Sequence, residues 1–363
     1  IDFTICVIVM AVLTGIYVIA GGYMATAIND FIQGIIMLFG ICAVIAAVLQ
    51  SKGGFTEAMH ALAEVKDPEA TTMNGAFASF LGPDPLSLLG VVILTSLGTW
   101  GLPQMVQKFY AIKSENAIKK GTIISTLFAI VVSGGCYFLG GFGRLFSDQL
   151  DVVANGFDSI IPTMLSGLSD VLIGLVVLLV LSASMSTLSS LVIASSSTLT
   201  LDFINKNFVK DMSEKTQVRM IRVLIVVFIL ISVVIALIQY NSSVTFIAQL
   251  MGISWGALAG SFLGPLIYGL YWKKTTKSGC WASFIFGAGI MILVILRPQM
   301  FPAILQSPIN AGAFAMIASM ILVPVVSLLT PKPSDKLVDE CFRCYETPAT
   351  VASKVALPDE EEE

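Results

Sequence analysis

The sequence predicts an all-α polytopic membrane protein with about nine transmembrane helices, and its composition and the placement of its charges are the observations behind this. Hydrophobic residues make up 56% of the 363 residues, and charged residues make up 12%. An ordinary soluble domain has about 25% charged residues. So few charged side chains cannot cover an apolar core in water, which excludes a soluble enzyme. The net charge of −4 also indicates no nucleic-acid partner.

Nine apolar stretches are long enough to cross a bilayer, which requires about 20 residues. They cover residues 3–20, 31–50, 86–107, 121–143, 171–200, 218–239, 243–271, 279–296 and 309–330. Each is expected to form one transmembrane helix, with the charged segments between them.

The basic residues predict the orientation of these helices. If residues 21–30 are cytoplasmic, alternation places 16 of the 20 Lys and Arg residues on the same side. The four on the outer side are Lys52, Lys66, Arg144 and Arg297. Because cytoplasmic loops are rich in Lys and Arg, the first helix is predicted to run from outside to inside, with the C-terminus cytoplasmic. The expected location is the plasma membrane.

The two ends of the chain differ from the rest. The chain opens directly on an apolar helix, at Ile1-Asp2-Phe3, with no basic leader. We interpret it as a fragment that lacks amino-terminal spans. Residues 1–330 are expected to form the membrane core, and residues 331–363, with an acidic end, a largely disordered cytoplasmic tail.

Asp30 is an acid at the predicted cytoplasmic mouth of the second span, with no base close to it in sequence. Two interpretations are open. It is either an acid of the first helical turn, favoured by the helix dipole, or a gate residue that attracts cations.

The third span is interrupted by the segment from Gly98 to Gln104. Pro103 removes a backbone donor, and Gly98 and Gly101 loosen the chain, so a kink or break is predicted here. Broken helices mark substrate and ion sites in secondary transporters. A proline kink that only affects packing is the equal alternative.

The fifth span becomes rich in hydroxyl groups, since eleven of residues 182–200 are Ser or Thr. Ala183, Ser186, Thr187 and Ser190 share one helical face. Hydroxyl and carbonyl oxygens can bind a small hard cation such as Na⁺ without a buried carboxylate. Close helix packing is the alternative reading of the same residues.

The seventh span carries small residues around one tryptophan, from Gly252 through Ser254 and Trp255 to Gly264-Pro265. This face could line a cavity, but tight packing is the safer default. In the tail, Cys341 and Cys344 form a lone CxxC pair. A zinc site would need two more ligands, and the single His60 is predicted outside, so these are interpreted as incidental thiols.

Four stretches of the sequence resemble the sodium:solute symporter family, and within it the sodium/proline symporter branch. They occur in the family's order, and the resemblance covers nearly everything before the tail. The stretches are Gly21-Gly22 through Asn29 to Gln33, Trp100-Gly101 through Gln107 to Phe109 with Lys113-Ser114, Met185 to Ser190 through Ser196-Ser197 and Asp202, and Trp255-Gly256 through Gly264-Pro265.

The resemblance implies an inverted-repeat, leucine-transporter-like fold of ten core helices. The first seven spans would be core helices four to ten, and the last two would be family additions. It also implies Na⁺ as the coupling ion and no organic cofactor. The carbonyl of Ala183 and the hydroxyls of Ser186 and Thr187 match the eighth-helix half of the family's sodium site.

Further residues carry over from the same resemblance. Asp30 matches the family's acid implicated in sodium handling on the cytoplasmic side. Thr99 falls where some sugar-transporting members place an inner-gate tyrosine, which puts that gate in doubt. The expected substrate cavity contains Thr99, Trp100, Gly101, Gln104, Ser254 and Trp255.

The expected function is sodium-coupled import of a small organic solute by alternating access, with proline or a similar amino acid favoured. Pantothenate or a monocarboxylate remains open as the solute. A transporter-like sensory module is a rival, although the short tail argues against it. An intramembrane enzyme is disfavoured because no ionisable group lies deep in a span. The expected partners are the solute, sodium and lipid, with no obligate protein partner.

Overall fold

The computed structural model describes residues 2–67, 71–109, 112, 114–150, 156–210, 212–242 and 247–345. The secondary structure of these residues is helical, with no strand among them. Seven helices in this part of the chain are long and apolar enough to cross a membrane. The predicted all-α polytopic class is confirmed.

The described residues contain twelve α-helices of six residues or more. They are α1 (Phe3–Ser51), α2 (Phe55–Glu64), α3 (Pro85–Gly101), α4 (Pro103–Phe109), α5 (Glu115–Gly141), α6 (Ile160–Leu165), α7 (Asp170–Ser197), α8 (Glu214–Ser242), α9 (Ile247–Tyr271), α10 (Lys277–Leu296), α11 (Pro308–Leu329) and α12 (Asp335–Phe342). Every predicted span coincides with a helix over its described residues, although the first two are joined in α1 and the third is divided into α3 and α4. Residues 243–246 of the seventh span lie outside the described residues.

α1 is bent at Gly22, which has a φ of 59° and a ψ of −157°. Only glycine adopts this backbone region readily. The two predicted spans are therefore the two arms of one element, and the segment 21–30 between them is helical apart from this residue.

The predicted break in the third span is confirmed. α3 ends at Gly101, Leu102 is extended, and Pro103 begins α4. Asp84 is the N-cap of α3, and its carboxylate accepts a hydrogen bond from the Ser87 amide at 3.1 Å. Hydrogen bonds from Ser87 hold the pKa of this carboxyl below its ordinary value.

A π-helical turn, Thr198–Ile204, continues α7 directly. The sequence did not predict it, because its residues keep the helical pattern of the preceding turns. π-Helical turns are rare and occur often at functional sites.

The chain divides into two compact units, residues 1–83 with 125–246 and residues 84–124 with 247–363. In the first unit, α7 packs against α1. Buried Val18 of the first arm of α1 shares a cluster with Val192 and Ile229, and buried Val44 of the second arm shares another with Leu139 and Met164.

Two of the four Lys and Arg residues predicted on the outer side, Lys52 and Arg144, contact residues of the first unit. The Lys52 ammonium donates to the Leu145 carbonyl at 2.9 Å and lies 3.9 Å from the centre of the Phe146 ring. Arg144 pairs with Asp67, and its guanidinium lies 4.7 Å from the centre of the Phe77 ring. Both charges therefore have local partners.

In the second unit, α9, α10 and α11 approach each other through small residues. A Cβ at Gly256 would lie 2.6 Å from the Cα of Gly312, and one at Gly260 would lie 2.8 Å from the Cβ of Ala315. The glycine face of the seventh span thus packs against α11, as the default interpretation had it.

The first part of the tail departs from the expected disorder, since residues 335–345 are helical. The Tyr345 hydroxyl donates to the Leu270 carbonyl at 3.0 Å, near the end of α9. The Lys273 ammonium lies 5.6 Å from the centre of the Phe342 ring. These contacts hold the short helix α12 and the turn after it against the end of α9. Residues 346–363 lie outside the described residues.

Candidate functional site

The hydroxyl-rich half of α7 presents an uncharged oxygen surface in the first unit. The Thr187 hydroxyl donates to the Ala183 carbonyl at 2.9 Å, one helical turn earlier. Thr187 is exposed, and Ala183 and Ser186 are partly buried. We call these three residues the oxygen face.

The oxygen face adjoins a concave surface with a volume of about 430 Å³. Its lining consists of Ala183, Ser184, Thr187, Leu188 and Leu191. Ser186 is not part of this lining. The Thr187 hydroxyl donates its proton to the Ala183 carbonyl, so the lone pairs of the hydroxyl oxygen remain available as acceptors. The Thr187 oxygen can thus act on a small cation as it stands, and the Ala183 carbonyl becomes a second ligand when the Thr187 hydroxyl rotates away from it.

Other hydroxyls of α7 face the interior and serve packing. Ser189 is fully buried, and its hydroxyl donates to the Ser186 carbonyl at 2.9 Å. Ser196 is also fully buried and donates to the Ile193 carbonyl at 3.1 Å. The packing interpretation therefore applies to the buried side of α7, and the ion-site interpretation concerns the opposite side.

Tyr17 of α1 reaches the same turn of α7 from the buried side, and sequence reasoning missed it. Its hydroxyl donates to the Met185 carbonyl at 3.0 Å. The side chains of Ser189, Asn29 and Thr14 lie beside this hydroxyl. The available signal was a single aromatic hydroxyl in an apolar stretch, which must find a partner when buried.

Asp30 is partly buried in the second arm of α1. The arm begins just after Gly22, so Asp30 lies about two turns inside the helix, at 3.6 residues per turn. The dipole effect is confined to the first turn, so the interpretation as a first-turn acid is wrong. Asp30 is also close enough to Tyr17 for its charge to act on the phenol.

The broken helix contributes to the second unit. The Thr99 hydroxyl donates to the Ser96 carbonyl at 3.0 Å, so its proton is used within α3. Trp100 is 64% exposed, and Gln104 is partly buried. Gly101 is buried, and a Cβ there would lie 2.8 Å from the backbone of Ala259. Gly101 therefore packs against α9 instead of opening toward a cavity.

On α9, Trp255 and Ser254 have different environments. Trp255 is partly buried, and its ring covers Gly98, where a Cβ would lie 3.1 Å from a ring carbon. Ser254 is exposed, and its hydroxyl donates to the Met251 carbonyl at 3.3 Å. The structure thus brings Trp255 to α3, whereas Ser254 and Trp100 stay exposed.

Comparison with known proteins shows which family the sequence matches. Residues 1–287 match the model of the sodium:solute symporter family. The sodium/pantothenate symporter of Haemophilus influenzae is 28% identical over 295 residues, which cover 81% of this chain and 59% of that protein. The sodium/proline symporter of Staphylococcus aureus is 28% identical over 344 residues, which cover 92% of this chain and 63% of that protein. The chain thus spans about three fifths of the length of these relatives.

A solved structure shares the fold. It is a substrate-bound, outward-open Na⁺-coupled sialic acid symporter, for which a novel Na⁺ site was described. The TM-score is 0.66 at 18% identity, and the match covers 92% of this chain and 68% of that one.

Proposed function

The chain belongs to the sodium:solute symporter family, and from this premise we propose that it works as a sodium-coupled symporter rather than an enzyme. The protein imports a small organic solute by alternating access across the plasma membrane, with the C-terminus in the cytoplasm. Na⁺ is the coupling ion, and the solute, the ion and the lipid bilayer are its partners.

The observation that carries this proposal is the oxygen face of α7. The Ala183 carbonyl and the Thr187 hydroxyl lie 2.9 Å apart beside an open concave surface. Neutral oxygens suit a monovalent cation, because they avoid the cost of an unpaired carboxylate when the ion leaves. We assign the Ala183 carbonyl and the hydroxyls of Ser186 and Thr187 to the sodium site.

Sodium bound at the oxygen face stabilises the outward-open state and so raises the affinity for solute. Because this is coupling between two sites, the solute must raise the affinity for sodium by the same factor. Asp30 acts as the acid that sodium meets on the cytoplasmic side. Thr99, Trp100, Gln104, Ser254 and Trp255 belong to the solute pathway, and Gly101 lets α3 pack closely against α9 beside it.

Proline or a similar amino acid is the solute we favour, because the Met185 to Ser190 stretch looks closest to the sodium/proline branch. Pantothenate is the second candidate, and a relative at the same identity carries that solute in its name. A transporter-like sensory module would bind these solutes without moving them.

The test is uptake of labelled proline and labelled pantothenate by the intact transporter in proteoliposomes. Uptake should require an inward sodium gradient, and the Ser186→Ala/Thr187→Ala double variant should lose most of it. Thr122→Ala is the matched control, because Thr122 is exposed and bonds the carbonyl one turn earlier at 2.9 Å, as Thr187 does. Uptake that persists in potassium, or in the double variant, would contradict the proposal.

A further inference from the structure

Tyr17 lies behind the oxygen face and bonds the backbone that carries it. We infer that Tyr17 is a positioning residue for sodium binding, and this inference rests on the function proposed above. Its hydroxyl holds the turn of α7 that presents Ala183, Ser186 and Thr187, without touching the ion.

The acceptor is central to that turn. The Met185 carbonyl lies between Ala183 and Thr187 in sequence, and the Tyr17 hydroxyl reaches it across 3.0 Å. The contact joins residues 168 positions apart. It therefore fixes the oxygen face relative to α1, which no bond within α7 can do.

The part of α1 that carries Tyr17 is well packed. Val18, its neighbour in sequence, is 1% exposed and belongs to the cluster with Val192 and Ile229. Leu188 of α7 packs against the same cluster. A phenol held by such packing has few other orientations, so its bond constrains α7 instead of following it.

A second hydroxyl holds the adjacent carbonyl from the same side. Ser189 donates to the Ser186 carbonyl at 2.9 Å and lies beside the Tyr17 hydroxyl. The carbonyls of Met185 and Ser186 are thus bonded from the buried side. The Ala183 carbonyl and the Thr187 hydroxyl remain on the open side, where the ion arrives.

The expected effect is on sodium affinity more than on folding. Without the hydroxyl, the oxygen face loses its tie to α1 and is less well ordered before sodium arrives. Removing one hydrogen bond of ordinary strength should raise the sodium concentration for half-maximal effect by about 3- to 10-fold.

The experiment is sodium-dependent thermal stabilisation of the purified intact protein, with KCl replacing NaCl at constant ionic strength. A ligand that binds the folded state raises the melting temperature with its concentration. Tyr17→Phe should need more sodium for half of the rise, with little change of the melting temperature in KCl. Tyr23→Phe is the control, since Tyr23 lies on the same helix and is 55% exposed.

Each outcome has a separate meaning. A wild-type protein that does not respond to sodium contradicts the proposed function itself. A responsive wild type with an unchanged Tyr17→Phe titration overturns the inference. Ile225→Ala trims the same packed cluster from α8, outside the lining of the concave surface, and keeps the hydrogen bond, so an equal shift in that variant also overturns it. If Tyr17→Phe does not fold, 3-fluorotyrosine at position 17 keeps the ring and strengthens the donor, and an unchanged sodium titration again overturns the inference.

Discussion

The hydroxyl of Ser283 donates a hydrogen bond to the carbonyl of Ser261 at 3.0 Å. This carbonyl would otherwise accept from the residue four positions later, but Pro265 has no amide hydrogen. Ser283 also pairs with Ser319 at 2.7 Å, and Ser319 accepts from the Gly264 amide at 3.0 Å. Ser283 of α10 thus supplies the hydrogen bond that Pro265 cannot donate, and Ser319 of α11 bonds the adjacent residue of α9.

Replacing Ser283 with alanine should destabilise the second unit. The freed carbonyl belongs to Ser261, which is 2% exposed, so the cost should be about 1–2 kcal/mol. Thermal unfolding in detergent measures it. Ser96→Ala, at an exposed serine of α3, is the control and should leave the melting temperature unchanged. Equal melting temperatures for both variants would contradict this role of Ser283.

A methyl group at Gly256 should also destabilise the protein. Its Cβ would lie 2.6 Å from the backbone of Gly312, so α9 and α11 must separate, at a cost of about 1–3 kcal/mol. Gly269→Ala is the matched control on the same helix, because a Cβ there meets nothing within 4 Å. That variant should be neutral or slightly stabilising, since alanine is the better helix former. Similar loss in both would show that packing is not the cause.

The bend of α1 should depend on Gly22. Alanine there must adopt a φ of 59°, which costs about 1–3 kcal/mol or straightens the helix. Gly22→Ala should therefore lower the yield of folded protein, measured by size-exclusion chromatography in detergent. Gly174→Ala in α7, with nothing within 4 Å of its Cβ, should behave as wild type. A normal yield from Gly22→Ala would argue against the bend.

The Tyr345→Phe variant should loosen residues 335–345 from the end of α9. This variant removes the hydrogen bond to the Leu270 carbonyl and leaves the ring. Amide hydrogen exchange in residues 335–345 should become faster, whereas the membrane helices exchange as before. Tyr271→Phe is the control, since Tyr271 is 73% exposed. Unchanged exchange in the tail would show that this bond does not hold it.

The sequence predicted the parts of the fold that depend on local chemistry. Apolar length located the spans, and Pro103 located the break, because a proline acts on its own helix. The glycine face of α9 was also recognised as a packing surface, since small residues act in the same way wherever two helices meet.

The parts that were missed depend on residues far apart in the chain. Tyr17 meets Met185 only after α1 and α7 pack, and its hydroxyl in an apolar stretch indicates that a partner is needed but not which residue it is. The docking of Tyr345 on Leu270 has the same origin. The first-turn interpretation of Asp30 is wrong because the helix of the second arm begins at the bend, earlier than its apolar run indicates, whereas the gate interpretation stays a prediction.

Equilibrium binding of ²²Na⁺ to the purified intact protein tests the central claim most directly. We expect saturable binding that unlabelled Na⁺ displaces and K⁺ does not. The Ser186→Ala/Thr187→Ala variant should lose it, and the Thr122→Ala control should keep it. Wild-type binding that survives in the double variant, at unchanged affinity, would contradict the assignment of sodium to the oxygen face.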